Sequence, residues 1–558
     1  MNSIKKISKN IFDIHLIKRF ILILVIYKFF KYLFYFFYNP SYYFNKLNQL
    51  FDISEKKYFS DYFPFEGPSY LFNFITSIYV IIGIVCLCIF IFLLKKYTNI
   101  SFSPLLSWHT LKSDNKYIYY FLNIISGVIL WKLLSFEYNF YYDSAFIVDR
   151  LIYIVLWGVS LRVPLFLIIF TFLTLVNLAQ VHIPGLYNFG MVDSLIFWEI
   201  LVLWSSFQIA TCFIKIRSYL YLLILMSLHL SYYFYAGIAK LAISPNGYEY
   251  FLTDFKIMFK QALIYGNKFM ELAYSFFNRI EPILPFSIVV LELSALIVLF
   301  SKRLTYSLLS LFSLMHILIF LICRMIFWKW ILVNISLCAL IYKLKKTDLD
   351  ALYKKSSIAT CIVLILFAPL TYKPIWLGWY QTNIINAKTV EVTNNNGEVF
   401  EVSLRDFGIH SIYTTFFIQH LYFLDDKPPP KFSVGEYKEY IDLTSMSLEQ
   451  YKSYREQEKW LDADSAINLE KKEILEDFFK QYFHNKNNYA GRKKFFMPIW
   501  GHIYQDYDQL KDKYRKSLSE IEVVKNVKIR YREFFINIKN TDFTMIEDKY
   551  ILDVNIPI

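Results

Sequence analysis

The chain has 558 residues, 56% of them hydrophobic and 20% Phe, Tyr or Trp, with a formal net charge of +13. Apolar content this high, in runs that approach or exceed 18 residues, excludes an ordinary soluble domain of this length and indicates a polytopic membrane protein. Basic excess in such a chain marks cytoplasmic loops and lipid headgroups rather than nucleic acid. The six cysteines all lie in apolar runs without metal-type spacing and read as small buried hydrophobes.

The first twenty residues are lysine-rich and lead into an aromatic apolar run with no small-residue cleavage signal, the pattern of an uncleaved anchor. Candidate spans follow at 20–38, 70–94, 117–136, 145–161, 163–180, 191–213, 218–240, 285–301, 304–323, 325–342 and 357–373. The first carries Lys28 and Lys31, and the fourth carries Asp149 and Arg150. Basic punctuation stands at the N-terminus, Lys95-Lys96, Arg162, Lys215 with Arg217, Lys302-Arg303, and from Lys343 to Lys355. If 145–180 forms two spans broken near Arg162-Val163-Pro164, every mark falls on the cytoplasmic side. This predicts eleven crossings of a cell inner or plasma membrane, with the N-terminus cytoplasmic and the C-terminus extracytoplasmic; a re-entrant 145–161 is the alternative. Residues 304–342 would run about 58 Å as one helix at 1.5 Å per residue, so a turn is expected near Arg324 or Lys329. Residues 253–284 suit an amphipathic helix in the interface.

From residue 381 the composition changes. Thr389 to Leu404 is two alternating runs around an Asn-Gly turn, a hairpin signal. Pro428-Pro-Pro430 marks a loop, residues 447–484 are charged with helical spacing, and Val527 to Ile538 reads as strand. The predicted architecture is therefore an N-terminal anchor helix and outer loop (1–69), an all-α membrane bundle (70–380) and a small extracytoplasmic α+β domain (381–558).

No phosphate loop, dinucleotide glycine fingerprint, zinc spacing or nucleophile elbow is present, so chemistry has to be sought among intramembrane polar residues. His229, Tyr233, Gly237 and Lys240 fall at i, i+4, i+8 and i+11, on one face of a helix stopped by Pro245-Asn-Gly. A lysine near the bilayer centre costs about 2.5–3.5 kcal/mol on mild scales, so this face is expected to meet something inside the bundle. Lys240 either snorkels to the headgroups or sits in an apolar pocket, where a neutral amine can act as a general base. Glu199 and Glu292, if buried, need a Lys or Arg from a neighbouring span. His316 and Arg324 share a face if their helix continues that far. Their two readings are a buried histidine bonded to a neighbouring hydroxyl, with Arg324 at the interface, or a pair binding an anionic group. Trp328 and Trp330 read as interfacial-belt aromatics and Tyr232, Tyr233 and Tyr235 as packing residues.

Tyr235-Ala-Gly-Ile-Ala-Lys-Leu241, followed by Gly247-Tyr248 and Tyr250-Phe-Leu252, resembles the vitamin K-dependent gamma-glutamyl carboxylases and their broader bacterial relatives, the HTTM-domain proteins. Tyr187-Asn-Phe-Gly-Met-Val-Asp-Ser194 is similar to that family's short Tyr-Gly segment before a helix. Ser313-Leu-Met-His316, with the aromatic run to Phe327-Trp-Lys-Trp-Ile331, is similar to its late histidine-bearing helix; together these cover roughly residues 150–345. Ala239 stands where the carboxylases have a second lysine, and Ser244-Pro245 replaces a tryptophan. In the carboxylases the lysine of this segment is understood as the base that deprotonates vitamin K hydroquinone; oxygen then yields an alkoxide that removes a glutamate gamma proton, and the carbanion adds carbon dioxide. The resemblance implies Lys240 as the base and His182, His229, Tyr233, Gly237, His316 and Arg324 as a substrate or quinol pocket between the 218–240, 191–213 and 304–323 helices. It also implies a reduced quinone (vitamin K or menaquinol) with O2 and CO2, no metal, and a peptide or protein glutamyl substrate on the outer side. The other reading is a non-catalytic membrane protein that binds or moves a lipid or quinone, or anchors the outer domain.

Overall fold

A computed structural model of the chain describes residues 14–38, 69–98, 100–107, 116–134, 147–180, 195–242, 249–252, 255–264, 267–323, 327–372, 374, 383–402, 446–458, 469–488, 515–537 and 543–557. The described part is mostly helical, with a small C-terminal sheet. Among the described residues six helical stretches are long and apolar enough to cross a membrane: Ile78–Tyr97, Lys116–Leu134, Ile196–Phe213, Ser218–Leu241, Lys268–Phe300 and Lys302–Ile322. Each of the other five expected spans has a helical counterpart. Ile147–Ser160, however, has 14 residues and Trp328–Lys343 has 16, about 21 and 24 Å of helix against a hydrocarbon core of about 30 Å.

Ser218–Leu241 is the centre of the bundle. Every residue from Leu220 to Gly237 is buried, as expected of a helix apolar all round and surrounded by others. Leu195–Phe213, Leu284–Leu293 and Lys355–Leu366 pack against it. Ile14–Tyr38 joins the same core through Phe20, Ile23 and Tyr27. Ile78–Tyr97 is the opposite extreme, with no buried residue. The expected 70–94 span is interrupted at Ser77, whose extended backbone ends one helix and whose hydroxyl accepts from the Val80 amide at 3.4 Å to start the next.

The helix begun at Lys302 is described to Cys323 and another begins at Trp328 after a non-helical Phe327, so 304–342 is not one continuous helix; Arg324 lies outside the described residues. The single amphipathic helix expected over 253–284 is instead Phe255–Ile264 and Lys268–Ile280, followed by a 3-10 turn containing Pro282. Asn267 makes the division. Its Oδ1 accepts from the Phe269 and Met270 amides, while Nδ2 donates to the Leu321 and Ile322 carbonyls at 2.8 Å. One side chain thus caps the start of one helix and the end of another.

The C-terminal region forms a five-stranded sheet in the order β3-β2-β1-β4-β5, from β1 (Ile384–Asn394), β2 (Val399–Val402), β3 (Arg515–Lys516), β4 (Val524–Ile536) and β5 (Phe543–Asn555). All pairings are antiparallel except the short β2–β3 contact. The expected hairpin is β1–β2. Gly397 supplies a positive φ of 80°, and Asn394 Oδ1 accepts from the amides of Asn396 and Glu398 at 2.9 Å. Register places Val390 opposite Ile529 and Val392 opposite Val527, and these in turn opposite Leu552 and Val554. That face packs against Phe478, Phe479, Tyr482 and Phe483 of Leu469–Asn488, the second of two helices found where 447–484 was expected to be helical. Pro428-Pro-Pro430 lies outside the described residues.

Lys486, at the end of that helix, donates to the Ile521 carbonyl and, at 3.3 Å, to the Glu522 carbonyl. Burial pushes its ammonium from 10.5 down to about 8. Below about 8 both folded and unfolded chains hold the proton, and the burial penalty is present in full. Between about 8 and 10.5 the unfolded chain holds it while the folded chain has released it, so stability rises with pH across that window. Unfolding of the C-terminal region, followed by proteolysis of the full chain from pH 7 to 10.5, should show this rise. Lys486→Met should remove that increment, and an unchanged slope in the variant would refute the assignment.

Candidate functional site

Lys240 occupies the last turn of the central helix, yet its amine stays inside the bundle, with the side chain 4% exposed. Helical side chains lean toward the N-terminus. Nζ accordingly folds back to 3.4 Å from the Ala236 carbonyl and meets both carboxylate oxygens of Glu292 at 2.8 Å. The Tyr250 ring centroid lies 5.9 Å away. The snorkelling reading is overturned by this geometry: the partner that a buried Glu292 requires is Lys240. With two hydrogens directed at one carboxylate and a third toward a carbonyl, the group is arranged as an ammonium donor.

Gly237 makes this approach possible. A Cβ there would stand 3.2 Å from Glu292 Cβ and 3.2 Å from Leu293 Cγ and Cδ2, so a side chain at this position would require the Leu284–Leu293 helix or its side chains to give by a few tenths of an ångström. Gly237→Ala is expected to push the helices apart and destabilise the bundle by about 1–3 kcal/mol. A lowered unfolding midpoint in detergent checks this; an unchanged midpoint would show that the neighbours yield freely.

One helical turn and more toward the N-terminus, the same face carries a hydrogen-bonded chain. His229 Nε2 donates to Asn334 Oδ1 at 2.6 Å, Asn334 Nδ2 donates to the Tyr233 hydroxyl at 3.0 Å, and that hydroxyl lies 3.0 Å from His316 Nε2. Trp330 covers the group, stacked on His229 (centroids 5.5 Å apart, planes at 26°) and edge-on to Tyr233 at 5.8 Å. Phe312 stacks on Tyr233 at 4.0 Å, and Phe327 lies 5.2 Å from His316. His229 Nδ1 is buried and has no hydrogen-bond partner among the described residues.

A second buried ion pair joins Lys31 to Glu199. Lys31 also donates to the Tyr372 carbonyl, and the Tyr232 hydroxyl donates to the other oxygen of Glu199. Tyr372 closes the set through its hydroxyl, 2.7 Å from Ser227 Oγ. The Trp330 ring is 5.0 Å from Tyr232 as well, so this indole touches both clusters. Asp149, in the expected 145–161 span, bonds Ser69 Oγ and accepts from the Leu71 amide at 3.2 Å, while Arg150 donates to the Leu134 carbonyl at 2.8 Å.

Of the expected site residues, His229, Tyr233 and His316 therefore meet directly, and Gly237 and Lys240 share the next turns of the same helix. His182 and Arg324 lie outside the described residues. The walls are 218–241, 284–293, 302–323 and 328–343; the Leu195–Phe213 helix contributes instead to the Lys31 cluster through Glu199. His316 is bonded to a hydroxyl, as its simpler reading expected. Trp330 is a buried wall and not a belt aromatic, and Tyr232 and Tyr233 bond acidic and imidazole partners beyond packing. Asn334 carries no signal in isolation, because a single amide in an apolar run has no fixed spacing to His229 or Tyr233. Its helical distance of four from Trp330 was the available hint. No family model, no curated protein and no solved structure matches the chain.

Proposed function

We propose that this chain is an integral membrane protein that handles a lipid-soluble quinol within its bundle, coupling quinol oxygenation to carboxylation of glutamyl groups. The observation that carries the reading is the interior ion pair of Lys240 and Glu292, on the same helix face as an imidazole–amide–phenol chain. Such polar groups at membrane depth mark functional sites by default. Passing one proton from Lys240 to Glu292 leaves an amine and a carboxylic acid, both neutral, so the pair can offer a base without leaving a net charge in low dielectric. Trp330, Phe312 and Phe327 pack on the rings of His229, Tyr233 and His316, an aromatic, hydrogen-bonding surrounding of the kind a quinol ring would meet. A reduced quinone would supply, when bound, the two electrons that reduce O2 and thereby the strong base that removes a glutamyl proton before CO2 adds. The accompanying topology is eleven crossings, with the C-terminal α+β region extracytoplasmic and presented to a peptide or protein glutamyl substrate.

The test is turnover by the full chain in lipid nanodiscs supplied with vitamin K hydroquinone, oxygen, labelled bicarbonate and a glutamyl peptide. Epoxide and labelled peptide are expected. Lys240→Arg should abolish both, because a guanidinium keeps the ion pair with Glu292 but stays protonated. Absence of epoxide and of fixed label in the wild type would discard the reading. A second reading is then favoured by the engaged hydrogens of Lys240 and the glycine beneath them: a non-catalytic membrane protein in which the pair clamps two helices.

A further inference from the structure

The hydrogen-bonded chain has a direction, and the direction fixes which nitrogen of His229 is an acceptor. Asn334 sits between the two ends of the chain, with Oδ1 toward His229 and Nδ2 toward Tyr233. A carbonyl oxygen only accepts, so the hydrogen of a neutral His229 ring is on Nε2. The phenol oxygen of Tyr233 already accepts from Nδ2, and its own hydrogen is therefore free to go to His316 Nε2. The remaining nitrogen, His229 Nδ1, is left with a lone pair. It belongs to a side chain with 0% exposure, and among the described residues nothing donates to it. Buried polar atoms are nearly always paired, because an orphan forfeits its hydrogen bond to water without replacement.

We infer that His229 Nδ1 is the acceptor for a hydroxyl of the lipid-soluble ligand, selecting the hydroquinone over the quinone. The inference rests on the quinol reading and adds the residue that tells the two redox forms apart. Three features converge on it. The orphan atom is an acceptor, and of the two forms only the hydroquinone carries an O–H to give. The Trp330 indole stacked on the imidazole holds the ring plane, so the lone pair has a set direction. Lys240, the other basic side chain on this face, directs its hydrogens at Glu292 and Ala236, which leaves the imidazole as the ready acceptor. His229 acts here as a binding and positioning residue, with no bond made or broken.

The test uses the full chain in phosphatidylcholine nanodiscs, with phylloquinone and its hydroquinone as probes under anaerobic conditions and tryptophan quenching as the readout. Wild type should bind the hydroquinone roughly five- to tenfold more tightly than the quinone, the worth of one buried hydrogen bond. Two substitutions divide the ring's roles. His229→Gln reaches Asn334 from the Nε2 position but has no acceptor where Nδ1 stood, and it should bring the preference to about one while quinone binding persists. His229→Asn places an amide oxygen near the Nδ1 position and should retain most of the preference. Equal binding of the two forms by wild type, or a preference that survives His229→Gln, overturns the inference and leaves the quinol site standing. So does loss of the preference in His229→Asn. Binding of neither form overturns the quinol reading and this inference with it. If the variants fail to elute as folded protein, the wild-type comparison decides alone.

Discussion

Replacing Lys240 with methionine is expected to destabilise the bundle by about 3–5 kcal/mol, because Glu292 would be left buried without its countercharge. The methionine stem keeps the packing, so most of the loss is electrostatic. Lys240→Met combined with Glu292→Leu should recover most of it, since removing both charges also removes the desolvation cost that the pair exists to offset. Unfolding midpoints of the three variants in one detergent give the measurement. If the double variant is no better than the single, the pair is not the unit of stability and the neighbouring Gly237 contact must be. Under the proposed quinol reading the comparison also separates stability from turnover: Lys240→Arg should stay folded and silent, whereas Lys240→Met should be silent because it unfolds.

The Lys31–Glu199 pair should behave in the same way. Lys31→Met is expected to cost about 3–5 kcal/mol and to release the Ile14–Tyr38 helix, whose amine otherwise reaches Glu199 and the Tyr372 carbonyl. Protease cleavage ahead of Tyr38 should rise in step with the lowered midpoint. Glu199→Gln should be milder, because a neutral amide still accepts from Tyr232. The two ion pairs share no residue, so their costs should add within about 0.5 kcal/mol. A larger departure would mean that Trp330, which touches Tyr232 and Tyr233, transmits strain between them. Additivity would assign the two clusters to separate jobs.

The helical framework was legible because crossing a bilayer writes itself into long apolar runs, and each expected span has a helix near it. Length inside those runs was less so. Ser77 interrupts 70–94 with a hydroxyl cap, and Asn267 divides 253–284 by capping two helices at once; each is one polar residue whose partners come from tertiary structure. The i, i+4, i+8, i+11 spacing placed His229, Tyr233, Gly237 and Lys240 on one face, and that face does meet the interior. Who meets it was beyond reach of spacing. Glu292 lies 52 residues from Lys240, and Asn334 lies 105 from His229, pairings set by how helices dock. Need for a partner was readable; identity was not. The β1–β2 hairpin shows the contrary case, in which Asn394 to Glu398 hold all the determinants locally.

The Ile78–Tyr97 helix has a consequence of another kind. Among the described residues it buries no side chain and Gly83 meets nothing within 4 Å, so its residue order carries little packing instruction there. What selection can act on there is bulk hydrophobicity, length and the terminal Lys95-Lys96. The segment should therefore drift freely between one leucine, isoleucine or phenylalanine and another, while the turns of Ser218–Leu241 admit almost no spelling but their own. Within one polypeptide, two helices of similar length and composition thus hold very different amounts of information.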